Sequence, residues 1–175
     1  DELSFWKPSF DGKSIEKKSK ARVCIGHYVS NSLSSPDGGG AKHAPCCVEV
    51  TDTSAGLMSS SEYLVPVVEQ LLPPPLRYRL VWHTEGVDGT LPLYVWRAVP
   101  PGSNFVALGM VATTSDDPPS IHAMSCVPKR WCVRETETPR FVWRDHGAGR
   151  PGSFWASEMP MQLMMCMQGH DPPQP

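Results

Sequence analysis

The segment Leu93 to Ala112, LYVWRAVPPGSNFVALGMVA, restricts the possible folds more than any other part of this chain. It joins an aromatic and β-branched run, a Pro-Pro-Gly break and a second apolar run carrying Leu-Gly. Both runs are short, bounded by Pro and Gly and rich in residues that suit a pleated surface, which predicts buried strands at Leu93–Val99 and Phe105–Val111 instead of helix. Pro100 and Pro101 lack the N–H that a central ladder requires, so the turn falls between them and Phe105.

The same pattern recurs on either side. SFWKP at Ser4–Pro8 and RVCIGHYV at Arg22–Val29 repeat it, pairing Trp6 with Trp96 and Gly26 with Gly109. PCCVEV at Pro45–Val50 has its counterpart in MSCVPK at Met124–Lys129. RYRLVWHTEG at Arg77–Gly86 matches PRFVWRDHG at Pro139–Gly147, aligning Trp82 with Trp143 and Gly86 with Gly147. A third copy opens at Ser153–Trp155, again SFW, and continues into Met161–Met167, MQLMMCM. Trp6, Trp96 and Trp155 thus head three units, at about 4–90, 91–150 and 151–170, with insertions at 31–44 and 51–75 and a Pro-rich tail at 170–175. Strand, turn and strand repeated with polar loops between predict a single all-β domain over 1–175, with three pseudo-repeated units forming a β-prism-like or β-sandwich arrangement. Tyr63–Leu72 predicts one or two helical turns, with Pro66 and Pro73–Pro75 preventing more.

With 19 Pro and 14 Gly in 175 residues, long helices are disfavoured, while the length suffices for a core. A net charge of -2 and a pI near 6.3 give no global pull towards nucleic acid, so none is expected as a partner. No run has the length of an apolar membrane span, and DELSFWKP lacks a leader layout, so the chain reads as part of a larger polypeptide. Four of the six cysteines lie in apolar contexts such as RVCIG and LMMCM. The preferred reading is buried thiols in a reducing compartment; three disulfides in a secreted domain are the alternative.

Reactive constellations are sparse. His43, Cys46 and Cys47 form a soft cluster, but adjacent cysteines present both sulfurs poorly to one tetrahedral ion, so no metal is expected. Asp145 and His146 are the most acid-base-like pair, yet Asp before a Gly-containing turn is ordinary loop chemistry. No Gly-x-Ser-x-Gly elbow and no phosphate loop occurs, and neither an enzyme nor a cofactor is expected. The better candidates are basic. Lys129, Arg130 and Arg134 surround Trp131, a combination able to set an indole in a headgroup layer with cations beside lipid phosphates. The plainer reading folds Trp131 into the core beneath a solvated loop. Lys13, Lys17, Lys18 and Lys20 form a second basic run, read chiefly as solubility.

The stretch VWRAVPPGSNFVALGMVATTSDDPPSIHAMSCV resembles the repeat "W-R-P-x-x-P-x-G-[FY]-x-x-L-G-x-x-A, then P-P, then R-C-V" of the vacuolar protein sorting-associated protein 62 family. That motif also occurs in the C-terminal β-rich part of vacuolar protein sorting-associated protein 13, among the chorein-type bridge-like lipid transfer proteins. FVWRDHGAGRPGSFWA is similar to the stretch that follows it there. Ala98 stands in place of the usual Pro, Asn104 lengthens the turn and Arg144 replaces an acidic residue. The resemblance implies a non-catalytic module of a cytoplasmic protein, peripheral at organelle membranes, engaging an adaptor protein or an anionic, phosphoinositide-bearing surface. A secreted or surface-associated β-prism module binding carbohydrate or lipid is the alternative.

Overall fold

Residues 3–10, 12–15, 19–33, 46–53, 61–84, 91–147, 149–158 and 161–174 are described by a computed structural model, and they form thirteen strands and one helix. The all-β expectation holds. The strands are β1 (Ser4–Trp6), β2 (Lys13–Ile15), β3 (Lys20–Cys24), β4 (Tyr28–Ser30), β5 (Cys47–Thr51), β6 (Arg77–His83) and β7 (Tyr94–Val99). β8 (Phe105–Val106), β9 (Met110–Thr113), β10 (Val127–Pro128), β11 (Arg140–Arg144), β12 (Gly152–Ala156) and β13 (Met164–Gln168) follow. They build three three-stranded sheets, β2-β3-β5, β6-β7-β9 and β11-β12-β13, and two pairs, β1-β4 and β8-β10, all antiparallel.

The three tryptophan strands behave alike. Each pairs with the apolar strand that follows it in its unit, so Trp6 lies opposite Tyr28, Trp96 opposite Val111 and Trp155 opposite Met165. In both Ser-Phe-Trp copies the indole N–H reaches back two residues to a serine hydroxyl, Trp6 to Ser4 at 3.3 Å and Trp155 to Ser153 at 2.9 Å. Trp96 donates to Thr113 Oγ1 at 2.8 Å instead. The Val-Trp strands also correspond: β6 shifts register between Leu80 and Trp82, and β11 between Phe141 and Trp143, the same bulge in the same place. The sheets therefore group Trp82 with Trp96 and Trp143 with Trp155.

These equivalences converge at one junction. Gly26 and Gly109 lie back to back, so close that a Cβ on Gly26 would stand 2.8 Å from the Gly109 Cα, and Leu163 fills the third side. The next residues, His27, Met110 and Met164, link the units through the backbone: His27 N–H donates to Met110 O at 2.8 Å and Met164 N–H to His27 O at 2.9 Å. Around this junction one core cluster draws Val29, Val95, Met110, Phe154, Met164 and Cys166 from all three units. Trp82 and Trp143 meet there edge to face with centroids 6.3 Å apart, and Phe154 packs on both, at 5.4 and 5.9 Å. Full burial of an aromatic ring such as Phe154 contributes roughly 1.5–3 kcal/mol, so this cluster is a main source of stability.

Two local expectations need correction. The run Phe105–Val111 is not one strand: β8 turns away to pair with β10, and only β9 pairs with β7. The close approach of Gly109 to Gly26 forces the break between them. Helix α1 (Ser61–Leu71) has 11 residues, three turns where one or two were expected. Pro66 falls in its second turn, where it removes a single backbone bond, while Leu64, Val68 and Leu72 bury one face against Ala21, Val23 and Ile25. That burial outweighs the lost bond.

Candidate functional site

The loop expected to carry function begins where β10 ends. Residues Lys129–Trp131 form a single 3-10 turn held at both ends: Lys129 N–H donates to Asn104 O at 2.8 Å and Cys132 N–H to Lys129 O at 3.0 Å. Cys132, half-buried, turns its sulfur towards Pro128 O at 3.6 Å. With Cys132 turned inward the flanking side chains project outward. Lys129, Arg130 and Arg134 are exposed, Trp131 is 48% exposed and Val133 95%. The expectation that Trp131 folds into the core is overturned, because the pinned turn leaves its indole no route inward. Trp82, Trp96 and Trp155 are buried, and Trp6 and Trp143 half-buried.

Beside this turn runs a groove of about 510 Å³ between the end of α1 at Gln70 and Leu71, the Asn104–Phe105 turn, and Lys129 with Arg130. Its charged lining is wholly cationic. The other basic run does not extend this surface. Lys13 pairs with Glu69 at 3.4 Å and Lys20 with Glu49 at 2.7 Å, while Lys17 and Lys18 lie outside the described residues.

The remaining candidates fall into structural places. Asp145 does not work with His146. Its buried carboxylate accepts from Gly152 N–H at 2.8 Å, Gly147 N–H at 3.0 Å and His170 Nε2 at 2.5 Å, which holds its carboxyl down at about 2. It therefore clamps the 145–152 loop and the C-terminal tail. Gly147, at φ +91°, closes that turn, and Trp82 donates its indole N–H to Arg150 O at 2.9 Å from the other side. Gly86 and His43 lie outside the described residues. No disulfide joins any of the six cysteines, and burial raises the thiols of Cys24 and Cys126 to about 11 and of Cys166 to about 12. No metal-ligating cluster occurs among the described residues, and none of their helices is long and apolar enough to cross a membrane.

Sequence reading missed a cleft around Lys7 and His27. A hollow of about 770 Å³ is lined by Leu3, Phe5, Leu93, Thr114 and Ser115 among others, and a second of about 350 Å³ is lined by Ser120 and His122 among others. Lys7, His27, Ala112 and Thr113 line both. The signal was present in the repeat: the residue after Gly26 is His, where the residue after Gly109 is Met.

Comparison with known proteins follows the same lines. The crystal structure of GNIP1Aa from Chromobacterium piscinae superposes on 98% of this chain with a TM-score of 0.58 at 18% sequence identity, a likeness of fold alone, and this chain spans 34% of that protein's length. A search of the curated proteins finds no match. The family model described as vacuolar protein sorting-associated protein 62 matches residues 47–168, which takes in both Val-Trp strands, the Leu-Gly strand, the Trp131 turn and the third unit; the chain belongs to this family.

Proposed function

We propose that this chain is a non-catalytic module that docks on anionic membrane surfaces through the Lys129–Arg134 loop, and so targets a larger intracellular sorting or lipid-transfer protein to organelles. The observation that carries this reading is the exposed Trp131 on a pinned turn, with exposed Val133 two residues beyond it, Lys129, Arg130 and Arg134 around them and no carboxylate between in the sequence. An indole suits the headgroup layer and the cations suit its phosphates. Membership of a vacuolar sorting family supports the setting.

Magnitudes fix how strong such docking is. Lys129 and Arg130 at about 1 kcal/mol each contribute about 2 kcal/mol near an anionic surface, roughly a 30-fold enrichment. That is recruitment, not permanent anchoring, and it suits a module working alongside other contacts of a longer protein. Liposome flotation over phosphatidylserine and phosphoinositide vesicles at low and high salt tests it. Flotation that is lost at high salt, lost in the Lys129→Ala, Arg130→Ala, Arg134→Ala triple variant and weakened by Trp131→Ala is the expected result. Absence of flotation from every vesicle would refute it and leave an adaptor protein as the partner.

A further inference from the structure

The groove beside the Trp131 turn gathers polar side chains that are committed to nothing else. Gln70, Ser103, Asn104, Lys129 and Arg130 line it, and among the described residues none of these five side chains makes a hydrogen bond or an ion pair. Lys13 and Lys20, by contrast, are held by Glu69 and Glu49. The backbone around the groove is fixed. Phe105 pairs with Pro128 across β8 and β10, Lys129 N–H donates to Asn104 O at 2.8 Å, and Cys126 N–H donates to Pro73 O at 2.8 Å, which ties the segment after α1 to the strand leading into the turn. Binding there has only side-chain tips to order, so its entropic cost is low.

The lining brings two chemistries together. The 3-10 turn supplies Lys129 and Arg130, and no carboxylate joins them in the lining, so a phosphate has two cationic donors for its oxygens. Helix α1 ends in the groove with Gln70 and Leu71, and a helix leaves its last carbonyls there as acceptors of partial negative charge. That end suits hydroxyl donors and disfavours an anion. The Ser103 hydroxyl and the amides of Gln70 and Asn104 both donate and accept, as a polyol requires. A bare phosphate uses only the cations and a neutral sugar only the amides, while a phosphatidylserine headgroup brings its ammonium to two cations. The space, about 510 Å³, lies within the usual range of small-molecule sites. We infer that this groove binds a phosphorylated polyol, the inositol phosphate headgroup of a membrane lipid, with a phosphate on Lys129 and Arg130 and ring hydroxyls on Gln70, Ser103 and Asn104. Trp131 directly follows Arg130 and is 48% exposed, so a residue suited to the headgroup layer stands next to the groove, which favours a lipid over a soluble source. The inference rests on the membrane reading of the same loop and adds a choice of headgroup that net charge alone does not make.

Flotation of the whole chain on phosphatidylcholine vesicles carrying either phosphatidylinositol bisphosphate or phosphatidylserine, matched in surface charge, tests it, with soluble inositol trisphosphate and orthophosphate as competitors. Binding should be about tenfold tighter on the phosphoinositide vesicles. Inositol trisphosphate should displace the chain from them and orthophosphate at the same concentration should not. Gln70 and Asn104 are exposed, so Gln70→Ala and Asn104→Ala keep the fold, and each should narrow the preference while leaving binding to phosphatidylserine vesicles unchanged. Trp131→Ala should weaken both kinds of vesicle alike. Equal binding at matched charge, displacement by orthophosphate as effective as by inositol trisphosphate, or a preference untouched by both amide variants overturns the inference and leaves the membrane reading standing. Absence of flotation from every vesicle overturns both.

Discussion

Replacing Gly26 by alanine tests whether the three units are held in place by backbone contact at their common junction. A Cβ at Gly26 would stand 2.8 Å from the Gly109 Cα, 3.3 Å from its carbonyl carbon and 3.2 Å from the Leu163 Cδ2, and Gly26 itself sits at φ +151°. The nearest obstacle is backbone, tied in turn by the 2.8 Å bond from His27 N–H to Met110 O, so it cannot swing aside as a side-chain tip would. Overpacking of this kind costs about 1–3 kcal/mol, and a side chain at a disfavoured positive φ costs about 1–3 kcal/mol more. Gly26→Ala should therefore lose about 2–6 kcal/mol. Gly109→Ala meets the Gly26 Cα at 3.0 Å and Ile25 O at 3.1 Å without positive φ, so it carries only the packing part, about 1–3 kcal/mol. Gly102→Ala, with nothing within 4 Å, is the control and should stay within about 0.5 kcal/mol of wild type. Urea unfolding followed by tryptophan fluorescence measures all three, and each kcal/mol should also lower the melting temperature by about 2–4 °C. If Gly26→Ala proves no worse than Gly109→Ala, or if both match Gly102→Ala, the junction does not hold the units as argued.

The Asp145 clamp has an acid signature. Its carboxyl lies at about 2 against an ordinary 3.8, chiefly because Gly152 N–H and then His170 donate to it. A depressed carboxyl contributes stability that is complete above about pH 4 and is lost as pH falls through 2, an effect of about 2 kcal/mol. Asp145→Asn should remove that acid slope from the urea midpoint, and an unchanged slope between pH 4 and 2 would exclude the clamp. The cysteines give a redox test. With Cys24, Cys126 and Cys166 buried and their thiols raised by that burial, protein purified without reductant should react slowly with a thiol reagent when native and show six thiols once unfolded. A count of four or fewer would restore the disulfide-held alternative.

What the sequence made legible was the part that repeats. Trp6, Trp96 and Trp155 can be aligned by eye because each strand that carries one has the same task, a flat indole over the strand that follows, and the structure pairs them in equivalent registers. Gly26 and Gly109 were legible as markers, but their mutual contact was not, since it joins residues 83 positions apart and leaves no periodic trace. The length of α1 was underestimated because propensity counts the bond lost at Pro66, while the burial of Leu64, Val68 and Leu72 is decided by a sheet elsewhere in the chain. Trp131 was misplaced for a related reason. An indole suits a core, whereas the bonds from Lys129 N–H to Asn104 O and from Cys132 N–H to Lys129 O fix the turn that carries it, and its indole lies outward.

Pseudo-symmetry also separates structure from function within the chain. A feature present in every unit, such as the paired tryptophan strand, is explained by the common fold and needs no ligand. A feature present in one unit only, at a position where the others show what the fold requires, is not explained that way. His27 is such a feature, since Met110 and Met164 show that an apolar side chain satisfies the junction. The two neighbouring residues should therefore respond to different degrees. Gly26→Ala should lower stability by about 2–6 kcal/mol, because it disturbs what all units share. His27→Met puts an apolar side chain where Met110 and Met164 stand in the other units and loses the Nδ1 acceptor of the Ala112 N–H, a cost of about 1–3 kcal/mol. If His27→Met destabilises the chain more than Gly26→Ala does in urea unfolding, the imidazole is part of the shared scaffold and not a feature of one unit alone.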